Sequence, residues 1–329
     1  MNYKKQKIRI YQASRKEYFL DCIDELYTVV EEQSLGYEVK RVVNNNSRLK
    51  SWIVRKLAAS PIFYNLRLKL STSNNINFAA MISGDFQLMA PAVFFSRRNY
   101  IYMYDVWPRF HKWIFPLLDF FNITYIFFSS KQVYELYQQH ANGNKCKAMW
   151  LPEAITVDEY FYKPAEEKSI DVLEFGRNYD AYHDLIAGKL ALKNKKHVFK
   201  TPEQQVLFPG KVEFTAALAD SKIVICIPSD ISHPERAEYI STMTLRYLQA
   251  IASKCLIVGI MPSDMEEIFG YMPIVEIDME HAAEQIIDVL DNYQNYLPLI
   301  EKNYETVKTK HQWQNRWGII KEKMEAGNE

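Results

Sequence analysis

The chain is poor in the features that assign a protein to a class at sight. Its 329 residues include four cysteines, Cys22, Cys146, Cys226 and Cys255, with no close pair and no metal-ligand spacing. That excludes a disulfide scaffold and a cysteine-based zinc site, and it points to a reducing, cytosolic location. The longest apolar region, Trp113 to Phe128, is interrupted by Pro116, Asp119 and Asn122 and is too short to span a bilayer. The opening stretch MNYKKQKIRIYQASRK has charges with no apolar core after them, so no secretory leader is expected. No repeat of solenoid period appears. Net charge is absent too, since 40 Lys+Arg offset 40 Asp+Glu.

The charges are unevenly placed. Residues 1–150 carry 21 Lys+Arg against 11 Asp+Glu, and the remainder carries 19 against 29, so the two parts are +10 and −10. Such asymmetry points to a polyanion or an anionic membrane surface as partner of the first part. Between Asn46 and Leu70, Arg48, Lys50, Arg55, Lys56, Arg67 and Lys69 alternate with Trp52, Ile53, Leu57, Phe63, Leu66 and other apolar residues. A basic amphipathic helix on an anionic bilayer has this composition. Ordinary surface helices with long basic stems have it as well.

The length suits two domains, each with its own core. Short β-branched or aromatic runs alternate with helical patterns along the whole chain. Strands are expected at Lys7–Tyr11, Tyr37–Val43, Ile76–Ile82, Tyr100–Tyr104 and Ile123–Phe128, with helices at Glu17–Val30 and Lys112–Phe121. Trp150 to Ser169, with two prolines and an acidic run, reads as a linker. A second alternation follows it, with strands at Ile170–Phe175, His197–Phe199, Lys222–Ile227 and Cys255–Ile260 and helices at Tyr179–Leu192 and Val212–Ser221. The expectation is an α/β protein of two Rossmann-like domains facing a cleft, residues 1–155 and 156–329.

In such sheets the ligand lies outside the carboxyl ends of the strands. Asp85, Asp105 and His111 fall at such ends in the first half, and Gly176 and Arg177 in the second. The segment Pro228–Gly259 is the most informative. A long loop leads into a helix expected to open near Ser241, on which Thr242, Arg246 and Gln249 share one face. The helix start has Ser241, Thr242 and Thr244 beside free N–H groups in a dipole field that favours an anion, and Arg246 adds a fork suited to phosphate oxygens. An ordinary N-cap and a solvated arginine would look the same. In the loop before it, His233, Glu235 and Glu238 read either as groups lying over that site or as random loop charges.

Four segments in order carry a resemblance. TLRYLQAIASKCLIVG is similar to the donor-binding Thr-x-Arg-x-x-Glu-Ala segment of the group 1, family 4-like nucleotide-sugar glycosyltransferases of bacterial polysaccharide synthesis. DVLEFGR resembles the first strand of their C-terminal domain and its Gly-Arg turn, FGYMPIVEID resembles the next segment, and His311, Trp313 and Arg316 resemble their terminal helix. Together these span about half the chain. Two positions depart from the pattern: Gln249 stands where the family has a glutamate that grips the donor ribose, and Ser241 where it often has another. An amide still hydrogen-bonds a diol.

The resemblance implies the twin-Rossmann GT-B fold, with the last helix crossing back to the first domain. It implies a nucleotide diphosphate sugar held by Gly176, Arg177, Thr242, Thr244, Arg246, Gln249 and Glu238 in the second domain. A glycan or lipid-linked acceptor would meet Asp105 and His111 in the first, and transfer would retain the anomeric configuration. No metal cluster and no cofactor is expected, so cations must neutralise the leaving diphosphate. The membrane then becomes the expected surface for the basic half rather than a nucleic acid, with the protein peripheral on the cytoplasmic face. A nucleotide-sugar epimerase and a non-catalytic partner of the same fold stay open as alternatives.

Overall fold

The computed structural model describes residues 6–14, 21–44, 49–50, 52–53, 56, 73–83, 85–140, 146–176, 179–201, 203–204 and 206–326. Arg177 lies outside the described residues, as do Arg48, Arg55, Arg67, Lys69 and most of the basic stretch that follows Asn46. Two compact units are formed. The first contains Met1–Pro152, Arg236–Ile240 and Trp313–Glu329, and the second Glu153–Glu235 and Ser241–Gln312.

The first unit is built on six parallel strands in the order β2-β1-β3-β4-β5-β6. These are β1 (Gln6–Ala13), β2 (Tyr37–Asn44), β3 (Ser73–Ile82), β4 (Ser96–Tyr104), β5 (Tyr125–Phe128) and β6 (Lys147–Trp150). Inner strands of a parallel sheet are covered on both faces and therefore read as unbroken apolar runs; NYIYMY at the end of β4 is buried at every residue. Helices α1 (Asp21–Gln33), α2 (Pro108–Phe120) and α3 (Lys131–His140) connect the strands. Asn77 and Asn99, on adjacent strands, are among the buried polar residues of this unit. Asn77 donates to Asn99 at 2.8 Å, and Asn99 donates to the carbonyls of Val93 and Asn122 at 2.9 and 3.0 Å, so the buried amides are satisfied.

The second unit has five parallel strands in the order β11-β10-β9-β7-β8. They are β7 (Ile170–Leu173), β8 (His197–Val198), β9 (Ser221–Cys226), β10 (Leu256–Gly259) and β11 (Val275–Glu276). Helices α4 (Asp180–Leu192), α5 (Lys211–Ala219), α6 (Leu245–Ala252), α7 (Ala282–Asp291) and α8 (Leu297–Lys310) flank them. The last helix, α9 (Trp313–Ala326), belongs to the first unit. Trp317 packs on Phe78 at 5.6 Å between centroids, Trp313 packs on Tyr102 at 5.5 Å, and Arg98 donates to the Met324 carbonyl at 2.5 Å. The expected return of the terminal helix is thus present, and its tryptophans are core residues.

One sequence expectation changes. Trp150 closes the last strand of the first sheet instead of opening a linker, and Leu151, Ala154, Ile155, Val157 and Tyr160 are buried one by one along the segment. Their spacing follows neither helix nor strand, so periodicity alone could not detect their burial. Strand β6, four residues long, and helix α3 are further elements that the sequence reading did not assign. The cysteines behave as small core residues: Cys146, Cys226 and Cys255 are buried, and burial pushes the Cys226 thiol up to about 12.

Glycine is required at one strand end. A Cβ on Gly259 would lie 1.9 Å from the Cys226 carbonyl oxygen on the paired strand. Gly259→Ala should therefore destabilise the protein by about 4 kcal/mol or more. Gly188, inside α4 with open space around it, should by contrast give about 0.5–1 kcal/mol of added stability as alanine. Denaturant titration of both variants measures the contrast.

Candidate functional site

The second unit gathers its polar groups where the carboxyl ends of β7, β9 and β10 meet α6. After β7 the chain passes through Glu174 and Phe175 to Gly176, whose φ of 75° favours glycine. A Cβ there would sit 2.7 Å from Nη2 of Arg246 and 3.3 Å from its Cζ. The guanidinium therefore lies directly over the turn, with Cζ 5.6 Å from the Phe175 ring centroid. A cation planted at a strand end beside a helix start is an arrangement that accepts phosphate oxygens.

The helix start differs from expectation. α6 begins at Leu245, and Thr244 is its extended N-cap with φ −110° and ψ 165°. Thr242 precedes the helix and so does not share a helical face with Arg246 and Gln249. The cause is Asp264, which follows β10. Its two carboxylate oxygens accept the Thr242 hydroxyl and the Met243 N–H, each at 2.7 Å, and hold this stretch extended. Ser263 adds a hydroxyl bond to the Ser241 carbonyl at 2.8 Å. Tyr247 then anchors the first turn by donating to the Ile260 carbonyl at 2.8 Å. Gln249 is buried, and its amide donates to the Tyr160 hydroxyl at 3.1 Å. Neither Asp264 nor Tyr160 carries a sequence signal; both are distant in the chain from the groups they hold.

Glu238 and the two first-unit candidates form another constellation. Segment Arg236–Ile240 belongs to the first unit. There Glu238, with φ 53°, accepts the Arg109 N–H at the start of α2 at 3.2 Å, a helix-start role for the carboxylate. Arg236 donates to Asp105 at 3.0 Å and lies over the Trp107 ring at 5.7 Å. Asp105 follows β4 at φ 51°, and its carbonyl accepts the Ser83 hydroxyl at 2.8 Å. His111 rests on Phe115 at 4.7 Å, and its Nε2 contacts the Val106 carbonyl at 2.9 Å. A carbonyl only accepts, so Nε2 carries the proton. Burial lowers the His111 imidazole below its ordinary 6.5, against the opposing Val106 bond, which keeps the ring neutral at neutral pH. Arg236 had no role in the sequence reading, yet it is the residue that orients the Asp105 carboxylate.

Among the described residues one further trio stands close together. Glu174 Oε1 meets His183 Nδ1 at 2.8 Å and His197 Nε2 at 2.7 Å. Burial by itself would raise the Glu174 carboxyl, but the bonds from His197 and His183 outweigh it and hold the group below the usual carboxylate range. His183 is thus engaged with a carboxylate.

No protein-family model matches the chain, and no curated protein matches it. Solved structures do. HepE of Anabaena, determined in complex with UDP and glucose, is 11% identical with a TM-score of 0.62 over 98% of this chain and 100% of that one. Sucrose-phosphate synthase of Thermosynechococcus elongatus is 10% identical, TM-score 0.62, over 98% and 100%. AviGT4, a glycosyltransferase involved in avilamycin A biosynthesis, is 12% identical, TM-score 0.54, over 98% and 97%. At these identities the likeness establishes the fold, which is α/β of the GT-B glycosyltransferase type.

Asp264 has a titration signature. Burial raises its carboxyl from 3.8 to about 6, against the bonds from Thr242 and Met243. The folded protein therefore keeps a proton that the unfolded chain has lost. The stabilisation from this group is complete below the unfolded value and is lost as pH rises through about 6. Wild type should lose about 3 kcal/mol relative to Asp264→Asn between acid and neutral pH, by the conversion of about 1.4 kcal/mol per unit. Denaturation of both proteins over that range checks this, and a pH-independent difference would remove Asp264 from the account.

Proposed function

We propose that the protein is a glycosyltransferase that moves a sugar from a nucleotide diphosphate sugar to a glycan or lipid-linked acceptor. The observation that carries this is Arg246 lying over Gly176 at the carboxyl end of β7, beside the start of α6. The first unit would bind the acceptor and the second the donor. UDP and UDP-glucose occupy structures of HepE. A uridine diphosphate sugar is therefore the first donor to test.

In this reading Arg246, Arg177 and the first N–H groups of α6 bind the diphosphate and neutralise the charge that develops on it as the glycosidic bond breaks. Thr242 and Thr244 line the approach, and Gln249 would meet the ribose by exchanging its bond to Tyr160 for one to a ribose hydroxyl. On the acceptor side His111 offers Nδ1, because Nε2–H is committed to Val106. Asp105, oriented by Arg236, positions an acceptor hydroxyl. Transfer proceeds with retention and uses these cations in place of a metal ion, in synthesis of a surface polysaccharide or related glycoconjugate. The basic first part of the chain sets the protein against an anionic cytoplasmic membrane face. No helix among the described residues is long and apolar enough to cross a membrane. A second reading, a non-catalytic binding protein of the same fold, is favoured by the burial of Gln249 against Tyr160.

Release of UDP from UDP-sugars, measured with and without a lipid-linked acceptor, separates the readings. Acceptor-dependent release is expected; binding with no turnover in any combination would transfer the case to the second reading. Arg246→Ala should weaken donor binding by about 1.5–3 kcal/mol, the scale of a hydrogen bond to a charged group. Unchanged donor affinity in calorimetry would displace the site.

Reversal of Arg55, Lys56, Arg67 and Lys69 to Glu should release the protein from vesicles of anionic phospholipid at low salt. Wild type that sediments without such vesicles as readily as with them would end the membrane proposal.

A further inference from the structure

We propose that Glu174, His183 and His197 form a site for one divalent metal ion of the zinc type. The three ligand atoms come from separate elements of the second unit: the residue after β7, the first turn of α4, and the edge strand β8. All lie within 4.8 Å of one another. Two imidazole nitrogens and one carboxylate oxygen are a donor set that suits zinc, with a fourth position for water.

The geometry is close to what the ion needs. Ligand bonds of about 2.0–2.1 Å place neighbouring ligand atoms about 3.3–3.4 Å apart in a tetrahedron. The Glu174 oxygen stands 2.7 Å from His197 and 2.8 Å from His183, so each pair must open by about half an ångström. His183 has the room to do so, with a side chain 17% exposed against 6% for His197 and 4% for Glu174. Phe199 closes the site on one side, its ring 4.5 Å from that of His183 and 4.7 Å from that of His197.

Without the ion, one carboxylate oxygen accepts from both rings, so His183 carries its proton on Nδ1 and His197 on Nε2. On binding, the proton on the nitrogen facing the carboxylate passes to the other ring nitrogen or to solvent, and the freed lone pair goes to the metal. The ion would tie β8, which is only two residues long, to β7 and α4. It would also fix the turn that presents Gly176 to Arg246. This site is distinct from the groups assigned to the donor diphosphate.

The tag-free 329-residue protein, stripped with a chelator, is titrated with zinc chloride against a chromophoric competitor, and with cobalt(II) for its absorbance. Uptake of one equivalent, a rise in melting temperature and a tetrahedral cobalt spectrum are expected. His183→Ala and His197→Ala should each weaken zinc binding by about a hundredfold or more, the upper range for outer-sphere losses being the floor for a lost ligand. Glu174→Gln separates an ion site from a hydrogen-bonded trio. Its amide oxygen still accepts both rings, so the metal-free melting temperature should hold while zinc affinity falls. His281→Ala, at an exposed His-Asp pair, should change nothing. Uptake below one equivalent, or equal uptake by wild type, His183→Ala and His197→Ala, would overturn the proposal and leave a trio held by hydrogen bonds alone.

Discussion

The start of α6 is set by a buried carboxylate. Asp264 takes both a hydroxyl and a backbone N–H from the stretch before the helix, and so decides that the helix begins at Leu245. Arg246 then falls in the first turn with its guanidinium over the Gly176 turn, a position open only because residue 176 has no Cβ. The carboxylate is costly to bury, as its raised titration shows. Both its oxygens are satisfied, which is the condition under which a buried polar group fixes one geometry.

A comparable logic holds in the first unit. Ser83, Asp105 and Glu238 all have φ near 50° without being glycine. Such strain persists only where the surroundings over-determine it. Here the restraints are visible: Ser83 is bonded to the Asp105 carbonyl, Asp105 to Arg236, and Glu238 to the start of α2. Strain, a paired carboxylate and a neutral His111 cluster at the carboxyl ends of β3 and β4, where open parallel sheets present their ligand groups. The five-residue segment Arg236–Ile240 supplies the arginine and the glutamate, although its neighbours in sequence belong to the other unit.

The candidate site was partly legible because some of its residues act through their own chemistry. Gly176 beside a strand end and Arg246 at a helix start stand out in the sequence, since a positive φ and a phosphate-binding fork demand those residue types. Asp264, Tyr160 and Arg236 did not stand out. Each works by contact with a residue from about twenty to more than a hundred positions away, and no local pattern encodes that distance. Glu174, His183 and His197 did not stand out as a group in the sequence. The expected strand at His197 is present, but only the fold sets it beside β7 and so brings the three side chains together.

Hydrophobic patterning along the chain determined the alternation of strand and helix, the parallel α/β class and the bipartite organisation, because burial on both faces of a parallel sheet requires continuous apolar runs of strand length. It also determined that the final helix, with Trp313 and Trp317, must find a core to pack in. Tertiary structure alone decided which core that is, where α6 begins, and which polar side chains meet. Those outcomes depend on hydrogen bonds and ion pairs closed between distant segments, whose geometry exists only once the sheets have brought the strand ends together.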